Sequence, residues 1–224
     1  MKKILLLLFA FVSLLFSSCL KDEVAEPYPE PEPGELELIH YWHFNTLAGV
    51  VEEVASDFSA VGSALITYPG TGPGYMDERT HREADPVSSW NLRMGEGPEQ
   101  GAVLRVRNPA DTRELIFDIP STGYEGLVFM FASTRSDNGS TLQRFHYSAN
   151  GGATWTAVGE DYVIPSIVGT GEYIHKTIDL SEIAAVNNNP DLKFKILFTS
   201  PEAGNPSGNN RFDNITLDGI KITK

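Results

Sequence analysis

The sequence predicts an all-β fold, an antiparallel β-sandwich of the jelly-roll type. Apolar and polar residues alternate with a period of two in strand-length segments along most of the chain, as in Ala102–Arg107. Clusters of Gly, Pro, Asn and Asp separate these segments. Only Asp179–Val186 has the pattern of a helical turn. We therefore expect roughly nine or ten strands in two packed sheets.

The strand segments follow one another from residue 35 to the C-terminal end. In the first, Glu35–Asn45, one face carries Leu36, Leu38, Trp42 and Phe44. Pro120 ends the segment Leu115–Ile119 because proline cannot continue a central strand. Leu127–Ala132 is apolar on both faces, which is typical of a buried strand. The remaining segments are Leu142–Tyr147, Tyr173–Leu180, Leu192–Thr199 and Phe212–Thr223.

The first 18 residues have the composition of an export signal. A basic start at Lys2 and Lys3 is followed by an apolar run from Ile4 to Leu15, which is too short to span a membrane as a helix. Small residues then lead to Cys19, the only cysteine in the chain. The segment from Leu15 to Cys19 resembles the bacterial lipobox. That resemblance implies acylation of Cys19 and an anchor in the outer membrane; an ordinary cleaved signal is the alternative.

Residues 19–34 form an acidic, proline-rich linker. Leu20-Lys21-Asp22-Glu23 resembles the acidic tetrapeptide that follows the acylated cysteine in surface lipoproteins of the Bacteroidota, which implies a position facing the extracellular side. Proline then recurs at every second position up to Pro33, a pattern that forbids helix and favours extended polyproline II. We expect this linker to hold the folded part away from the membrane.

Residues 35–224 are long enough for one β-sandwich domain with a sizeable core. The chain carries a formal net charge of −13, and removal of Lys2 and Lys3 with the signal makes it more acidic. Such a surface repels polyanions, so nucleic acid is not an expected partner. With Cys19 acylated, the domain has no thiol for a disulfide or a thiolate metal site.

One segment has the pattern of a specific hairpin. Ser148-Ala149-Asn150-Gly151-Gly152-Ala153-Thr154-Trp155 resembles an Asp-box, with Asn150 in the aspartate position. Asn150 can bond the backbone ahead of it, and the two glycines tolerate positive φ. Sialidase-type propellers repeat this motif in each blade, whereas here it occurs once. We interpret it as a structural hairpin.

Several loop and strand-end segments together resemble a known module. They are Gly101–Pro109, Ser121–Tyr124, Ser133–Ser136, the Asp-box hairpin, Asp179–Ser181, Asn187–Pro190 and Gly208–Ile215. Together they are similar to a choice-of-anchor β-sandwich found in secreted and lipid-anchored Bacteroidota proteins. The resemblance implies a jelly roll akin to galactose-binding-like and MAM domains, and it implies no enzymatic activity.

The sequence lacks common catalytic signatures. Gly204-Asn205-Pro206-Ser207-Gly208 misplaces the serine of a nucleophile elbow. Gly70-Thr71-Gly72-Pro73-Gly74 has the glycines of a phosphate loop, but Pro73 lacks an amide donor and no apolar helix follows. We therefore expect a non-catalytic module that binds a glycan or a protein. The alternatives are a structural or adhesive domain and a glycan-active hydrolase.

Calcium is the one cofactor that the resemblance raises. MAM-type modules imply a Ca²⁺ ligand at Asp213, and Asn214 lies beside it. Carboxylates of the first loop, Glu52, Glu53 and Asp57, could complete a set of oxygen ligands. The alternative, which we favour, is an ion pair between Asp213 and Arg211, Arg135 or Arg93.

Long loops are the expected place for a ligand, because loops on a rigid sandwich carry function more often than strands do. The stretch Tyr68–Gln100 contains Tyr75, Trp90 and Arg93. An exposed Tyr75 or Trp90 could stack on the apolar face of a sugar ring. We therefore predict Tyr75, Trp90 and Arg93 as ligand-binding residues, although Trp90 could instead be a plug over the end of the sandwich.

Overall fold

A computed structural model describes residues 34–80, 91–93, 101–170, 173–200 and 207–223. The strands in chain order are β1 (Leu36–Trp42), β2 (Val50–Val51), β3 (Glu53–Ala55), β4 (Phe58–Ser59), β5 (Leu65–Thr67), β6 (Tyr75–Thr80), β7 (Ala102–Arg107), β8 (Glu114–Asp118), β9 (Tyr124–Arg135), β10 (Leu142–Ser148), β11 (Thr156–Ala157), β12 (Tyr162–Val163), β13 (Ile174–Asp179), β14 (Lys193–Phe198) and β15 (Asn209–Lys221). A four-residue helix, α1 (Ile167–Thr170), and a 3₁₀ turn at Ala184–Val186 complete the elements. No helix among the described residues has the length and apolarity needed to cross a membrane.

The strands form two antiparallel sheets. Sheet 1 has eight strands in the order β13-β9-β15-β7-β6-β2, with β1 paired to β15 and β4 paired to β1. Sheet 2 has seven strands in the order β11-β10-β14-β8-β5-β3, with β12 paired to β10. From β7 to β10 successive strands alternate between the sheets, as in a jelly roll. The predicted fold class is confirmed.

The long strands match the sequence prediction and the short ones do not. β7 has the predicted bounds, and β8, β10, β13 and β14 differ from prediction by one residue at one or both ends. The bounds of β1, β9 and β15 differ from prediction by up to three residues at an end. The two- and three-residue strands β2, β3, β4, β5, β11 and β12 are too short to show a period of two, so the predicted strand number was too low. β6 was wrongly assigned to a loop.

The first and last strands pair with each other in sheet 1. β1 runs antiparallel to β15, from Leu36 opposite Ile220 to Trp42 opposite Ile215. The predicted face of β1 is wrong at its beginning, because the register shifts between Leu38 and His40. This shift buries Ile39 in the core and leaves Leu36 49% exposed.

The core between the sheets is dominated by phenylalanine, with Phe129 of β9 at its centre. The ring centroid of Phe129 lies 5.2 Å from that of Phe117, 5.5 Å from Phe131, 5.6 Å from Phe145 and 5.1 Å from Phe194. Phe117, Phe145 and Phe194 belong to sheet 2, so Phe129 joins the two sheets. Aromatic pairs at these separations stabilise the fold beyond the area they bury.

The Asp-box segment forms the predicted hairpin between β10 and β11. The amide of Thr154 donates to Oδ1 of Asn150 at 2.9 Å, and the amide of Gly152 donates to Oγ of Ser148 at 2.8 Å. Gly151 and Gly152 have φ values of 68° and 94°, a region that favours glycine.

Substitution of Phe129 tests the central position of this ring. Phe129→Ala should lower the free energy of unfolding by about 3–5 kcal/mol, because the substitution removes four ring contacts and leaves a cavity that two sheets must both relax to fill. Urea denaturation of the wild type and the variant measures this change. Phe129→Leu is the matched control and should cost less, and a loss below about 1 kcal/mol for Phe129→Ala would contradict the packing described here.

Candidate functional site: a cleft at the edge of the sandwich

A cleft of about 420 Å³ lies where neighbouring edges of the two sheets meet. It is lined from sheet 1 by residues on β2 and β6 and from sheet 2 by the end of β5 and the residues after it. The lining residues are Val50, Val51, Glu52, Thr67, Tyr68, Pro69, Gly74, Tyr75, Met76 and Arg113. We call this the Tyr75 cleft. Its volume falls in the range of sites that hold small ligands.

Tyr75 presents an aromatic ring at this cleft. It is the first residue of β6 and is 40% exposed, whereas the next residue, Met76, is buried in the core. Tyr75 pairs across the sheet with Arg107, and the Arg107 guanidinium carbon lies 5.9 Å from the Tyr75 ring centroid. The predicted ligand residue therefore sits on a strand that is paired on both sides, with one cation over its ring.

Tyr68 and Arg113 form the opposite part of the lining. Tyr68 is 6% exposed and packs edge-to-face against Phe198, with ring centroids 6.0 Å apart. The Arg113 guanidinium carbon lies 5.3 Å from the Tyr68 ring centroid. Burial raises the pKa of Tyr68, and the charge of Arg113 opposes that rise only in part. The Tyr68 hydroxyl therefore stays neutral at physiological pH.

The sequence did not indicate Arg113. It precedes β8, whereas the rest of the cleft comes from residues 50–76. Its position follows from the pairing of β5 with β8, which sets Thr67 opposite Ile116. No motif marks such a residue, because the contact spans about forty positions of sequence and depends on the sheet order.

Arg93 lies elsewhere, over the outer face of sheet 1. Its Nη2 is 3.4 Å from Oδ2 of Asp218, and its backbone amide donates to the Tyr41 hydroxyl at 3.4 Å. Asn91 also binds this face, through hydrogen bonds from Nδ2 to the Asn214 carbonyl at 3.0 Å and the Thr216 hydroxyl at 2.9 Å. The structure does not bring Arg93 into the Tyr75 cleft. Two other predicted residues, Trp90 and Cys19, lie outside the described residues.

The predicted ion pair of Asp213 is wrong. Arg93 binds Asp218 instead, and Arg211 donates through Nε to Oδ1 of Asn209 at 3.0 Å. Arg135 donates to the carbonyls of Ile164, Ser136 and Asp137. Within the described residues, the Asp213 carboxylate accepts one hydrogen bond, from the Asn214 amide at 2.9 Å. Asp213 is 4% exposed, and this burial raises its pKa well above the usual range.

Calcium at Asp213 and Asn214 is a prediction that the structure does not test. Calcium takes six to eight oxygen ligands, often from several carboxylates. In the part of the chain that the structure describes, no three acidic, histidine or cysteine side chains cluster as metal ligands. Asp57, one of the predicted first-loop ligands, instead approaches His43, with Oδ1 3.4 Å from Nε2. Calcium at Asp213 and Asn214 stays a prediction that no contact of these residues supports.

No protein-family model matches the chain, and no curated protein matches it. Similar solved structures include the CBM22-1 and GH10 modules of Clostridium thermocellum xylanase 10B with xylohexaose, at 12% identity and a TM-score of 0.42. That match covers 70% of this chain but 27% of the other, so this chain spans about a quarter of that one.

Two further structures match over most of their own length. A CBM61 module with β-1,4-galactotriose has 9% identity and a TM-score of 0.41, and the match covers 78% of this chain and 92% of that chain. The K2 adhesin domain of Lys-gingipain has 13% identity and a TM-score of 0.40, with coverage of 68% and 88%. Similarity at this level says nothing about what this chain binds.

Substitution of Asp213 tests the burial of an uncompensated carboxyl group. A raised pKa in the folded state means that the native protein binds more protons than the unfolded chain above about pH 3.8, so stability falls as pH rises. Asp213→Asn keeps an acceptor for the Asn214 amide and removes this ionisation. The variant should therefore melt at a higher temperature than the wild type at pH 8, with the difference vanishing near pH 4.

The control for this experiment is Asp218→Asn, which also loses the pairing with Arg93 and should stabilise less. Differential scanning calorimetry between pH 4 and pH 8 gives both values. A lower melting temperature for Asp213→Asn at pH 8, together with a loss of stability of the wild type in EDTA, would contradict the uncompensated carboxyl and favour calcium.

Proposed function

We propose that residues 35–224 form a non-catalytic module that binds a glycan in the Tyr75 cleft. The observation that carries this proposal is the exposed aromatic ring of Tyr75 on a strand beside a cleft that also contains polar side chains. Sugars present an apolar C–H face and a rim of hydroxyl groups, which suit an aromatic ring and hydrogen-bonding side chains respectively.

The polar groups of the cleft suit hydroxyl ligands. Glu52 supplies a carboxylate that can accept hydrogen bonds from sugar hydroxyls, and Arg113 supplies donors. Thr67 adds a hydroxyl that can act in either direction. Apolar residues complete the lining, so a ring that enters is desolvated on one side while its hydroxyl groups keep partners.

The cleft is held in place before a ligand arrives. Tyr75 and Met76 belong to β6, which is hydrogen-bonded to β7 on one side and to β2 on the other. Met76 is buried in the core, so its neighbour Tyr75 faces the opposite side of β6, where Arg107 lies over its ring. Less conformational freedom is lost on binding to a site of this kind, which favours affinity.

The small number of acidic side chains in the cleft supports the proposal of binding without catalysis. Glycoside hydrolysis uses two carboxyl groups about 5–9.5 Å apart. Among the described lining residues of the Tyr75 cleft, Glu52 is the one acidic side chain. The module is therefore proposed to hold a glycan rather than to cleave it.

We further propose that the module is anchored in the outer membrane through acylated Cys19 and faces the extracellular side. The signal from Met1 to Ser18, the single cysteine after it and the acidic proline-rich linker support this placement. A glycan-binding module on such a linker would hold a polysaccharide at the cell surface. A structural or adhesive domain at the same place is the alternative.

Binding through Tyr75 is tested on a glycan array, followed by isothermal titration calorimetry of the full-length chain in detergent. Tyr75→Ala should weaken binding of the best glycan at least tenfold, or about 1.4 kcal/mol, because the stacking surface is lost. Tyr75→Phe keeps the ring and should bind within a few-fold of the wild type. Val163→Ala, at a residue that is 61% exposed on β12, is the off-site control.

Three other results would overturn the proposal. Turnover of a glycan that Glu52→Gln abolishes would make the protein a hydrolase. Capture of one stable protein partner without any glycan binding would favour the adhesive alternative. Equal binding by Tyr75→Ala and wild type would move the site away from this cleft.

Anchoring is tested by metabolic labelling with a fatty-acid analogue. The wild-type chain should be labelled and should fractionate with the membrane, whereas Cys19→Ala should be unlabelled because it lacks the thiol that is acylated. Ser18→Ala, next to the modified position, is the control and should be labelled like the wild type. Equal labelling of wild type and Cys19→Ala would show that Cys19 is not the anchor.

A further inference from the structure

Arg113 is a cation of the Tyr75 cleft whose bonds go to backbone carbonyls. Its Nη1 donates to the Tyr68 carbonyl at 2.8 Å, and its Nη2 donates to the Gly72 carbonyl at 2.7 Å. Its Nε is buried and has no hydrogen-bond partner among the described residues. Within the same residues, no carboxylate forms a salt bridge with Arg113.

Cations on neighbouring strands differ from Arg113 in this respect. Lys193 and Lys195 of β14 lie 2.7 Å from the carboxylates of Asp118 and Glu114. Arg105 of β7 binds Asp77 through Nε at 2.7 Å and Nη2 at 2.6 Å. Arg113 therefore differs from these cations. Arg135 of β9 likewise donates to backbone carbonyls, but it does not line the Tyr75 cleft.

Arg107 adds a second, incompletely neutralised cation beside Tyr75. Its nearest carboxylate is Asp77, at 3.4 Å from Nε, and that group already accepts the two short bonds from Arg105. The side chain of Arg107 is 28% exposed. Two guanidinium groups share the one carboxylate of Asp77, which leaves net positive charge next to the Tyr75 ring in a protein with a net charge of −13.

The glycine-rich loop is shaped around Arg113. A Cβ at Gly74 would lie 2.6 Å from Cδ and 2.8 Å from Nε of Arg113. A Cβ at Gly70 would lie 2.6 Å from Cγ of Arg113 and 2.3 Å from the Thr112 carbonyl oxygen. The segment Gly70-Thr71-Gly72-Pro73-Gly74 thus allows the guanidinium to pass close to the backbone and reach the cleft.

We infer that the Tyr75 cleft selects a glycan that carries a carboxylate, that is, one with a uronic acid residue. The inference rests on the proposed glycan-binding function and adds its ligand class. The sugar ring would lie against Tyr75 and its carboxylate would face Arg113 and Arg107. A carboxylate that receives N–H bonds from a guanidinium forms charge-assisted hydrogen bonds, which are stronger than those of a neutral hydroxyl.

The overall charge of the protein limits which uronic-acid-containing glycans fit the cleft. A net charge of −13 repels a polyanionic chain at low ionic strength, and Glu52 adds a negative charge within the cleft. At physiological salt, charges farther apart than about 8 Å are largely screened, so the two arginines dominate only near the ring. The fitting ligand is therefore an otherwise neutral glycan with isolated uronic acid residues.

Backbone-matched ligands test the inference with the full-length chain in detergent. Cellotriose, β-1,4-galactotriose and β-1,4-mannotriose are each compared with the same trisaccharide oxidised at one C6 to a carboxylate, by isothermal titration calorimetry. At least one oxidised trisaccharide should bind ten times or more tightly than its neutral counterpart. The same trisaccharide sulfated at C6 distinguishes carboxylate recognition from attraction to any anion, and should bind less tightly than the carboxylate.

Variants separate the charge from the stacking surface. Arg113→Gln and Arg107→Gln should each reduce the preference for the oxidised ligand, measured as the ratio of its affinity to that of the neutral ligand, several-fold. Gly74→Ala, which displaces Arg113 without changing the charge, should also reduce the preference. Arg135→Gln is the matched control: Arg135 likewise donates to backbone carbonyls but lies outside the cleft, so the preference should not change. Melting temperatures confirm that each variant is folded.

These measurements distinguish failure of the uronate inference from failure of the proposed glycan-binding function. Equal or weaker binding of every oxidised ligand, with Tyr75-dependent binding of a neutral one, overturns the uronate inference and leaves the proposed function standing. An unchanged preference in both arginine variants also overturns it. Equal or tighter binding of the sulfated ligand replaces carboxylate recognition by general anion binding. Absence of binding to any trisaccharide overturns both the inference and the proposed function.

Discussion

The position of β15 in the middle of sheet 1 is the constraint on which the rest of the structure depends. β15 pairs with β9 on one side, while on the other side residues 209–212 pair with β7 and residues 215–220 pair with β1. β7 in turn holds β6, which carries Tyr75. The final strand of the chain therefore joins the first strand to the strands of the cleft. Sheet 1 cannot be completed, and the cleft cannot be placed, until the C-terminal residues are in position.

A bulge lies where β15 changes its partner. The register shifts between Asp213 and Thr216, and Asn214 has a φ of 46°, which asparagine tolerates better than most residues. The Asn214 amide donates to Asp213, and the Asn214 side chain accepts a hydrogen bond from the Tyr41 hydroxyl of β1 at 3.0 Å. The acidic residue is thus part of the bulge geometry. The buried carboxyl group of Asp213 lowers stability at neutral pH because burial disfavours its charged form. Asp213 and Asn214, which the sequence predicted as a metal site, therefore also have a structural role in the bulge.

The cleft combines a rigid aromatic ring with charge placed by the loops. Tyr75 gains its position from strand pairing, whereas Arg113 gains its position from a loop in which glycines leave space and carbonyls accept its hydrogen bonds. The stacking surface and the cationic group therefore come from different elements and can be altered separately. Under the proposed function, substitution of Arg113 would change which ligand charge the cleft prefers, while Tyr75 would keep its contact with the sugar ring.

The sequence by itself determined the fold class, the long strands and the Asp-box hairpin, because alternation of apolar residues and turn-forming Gly and Asn act locally along the chain. It also indicated Tyr75 as a candidate, since an aromatic residue in a polar stretch is visible without a structure. Only the tertiary structure decided that Tyr75 lies on β6, that Arg93 binds Asp218 and that Arg113 joins the cleft. Those placements depend on sheet order and register between residues distant in sequence, and no local pattern of side chains encodes them.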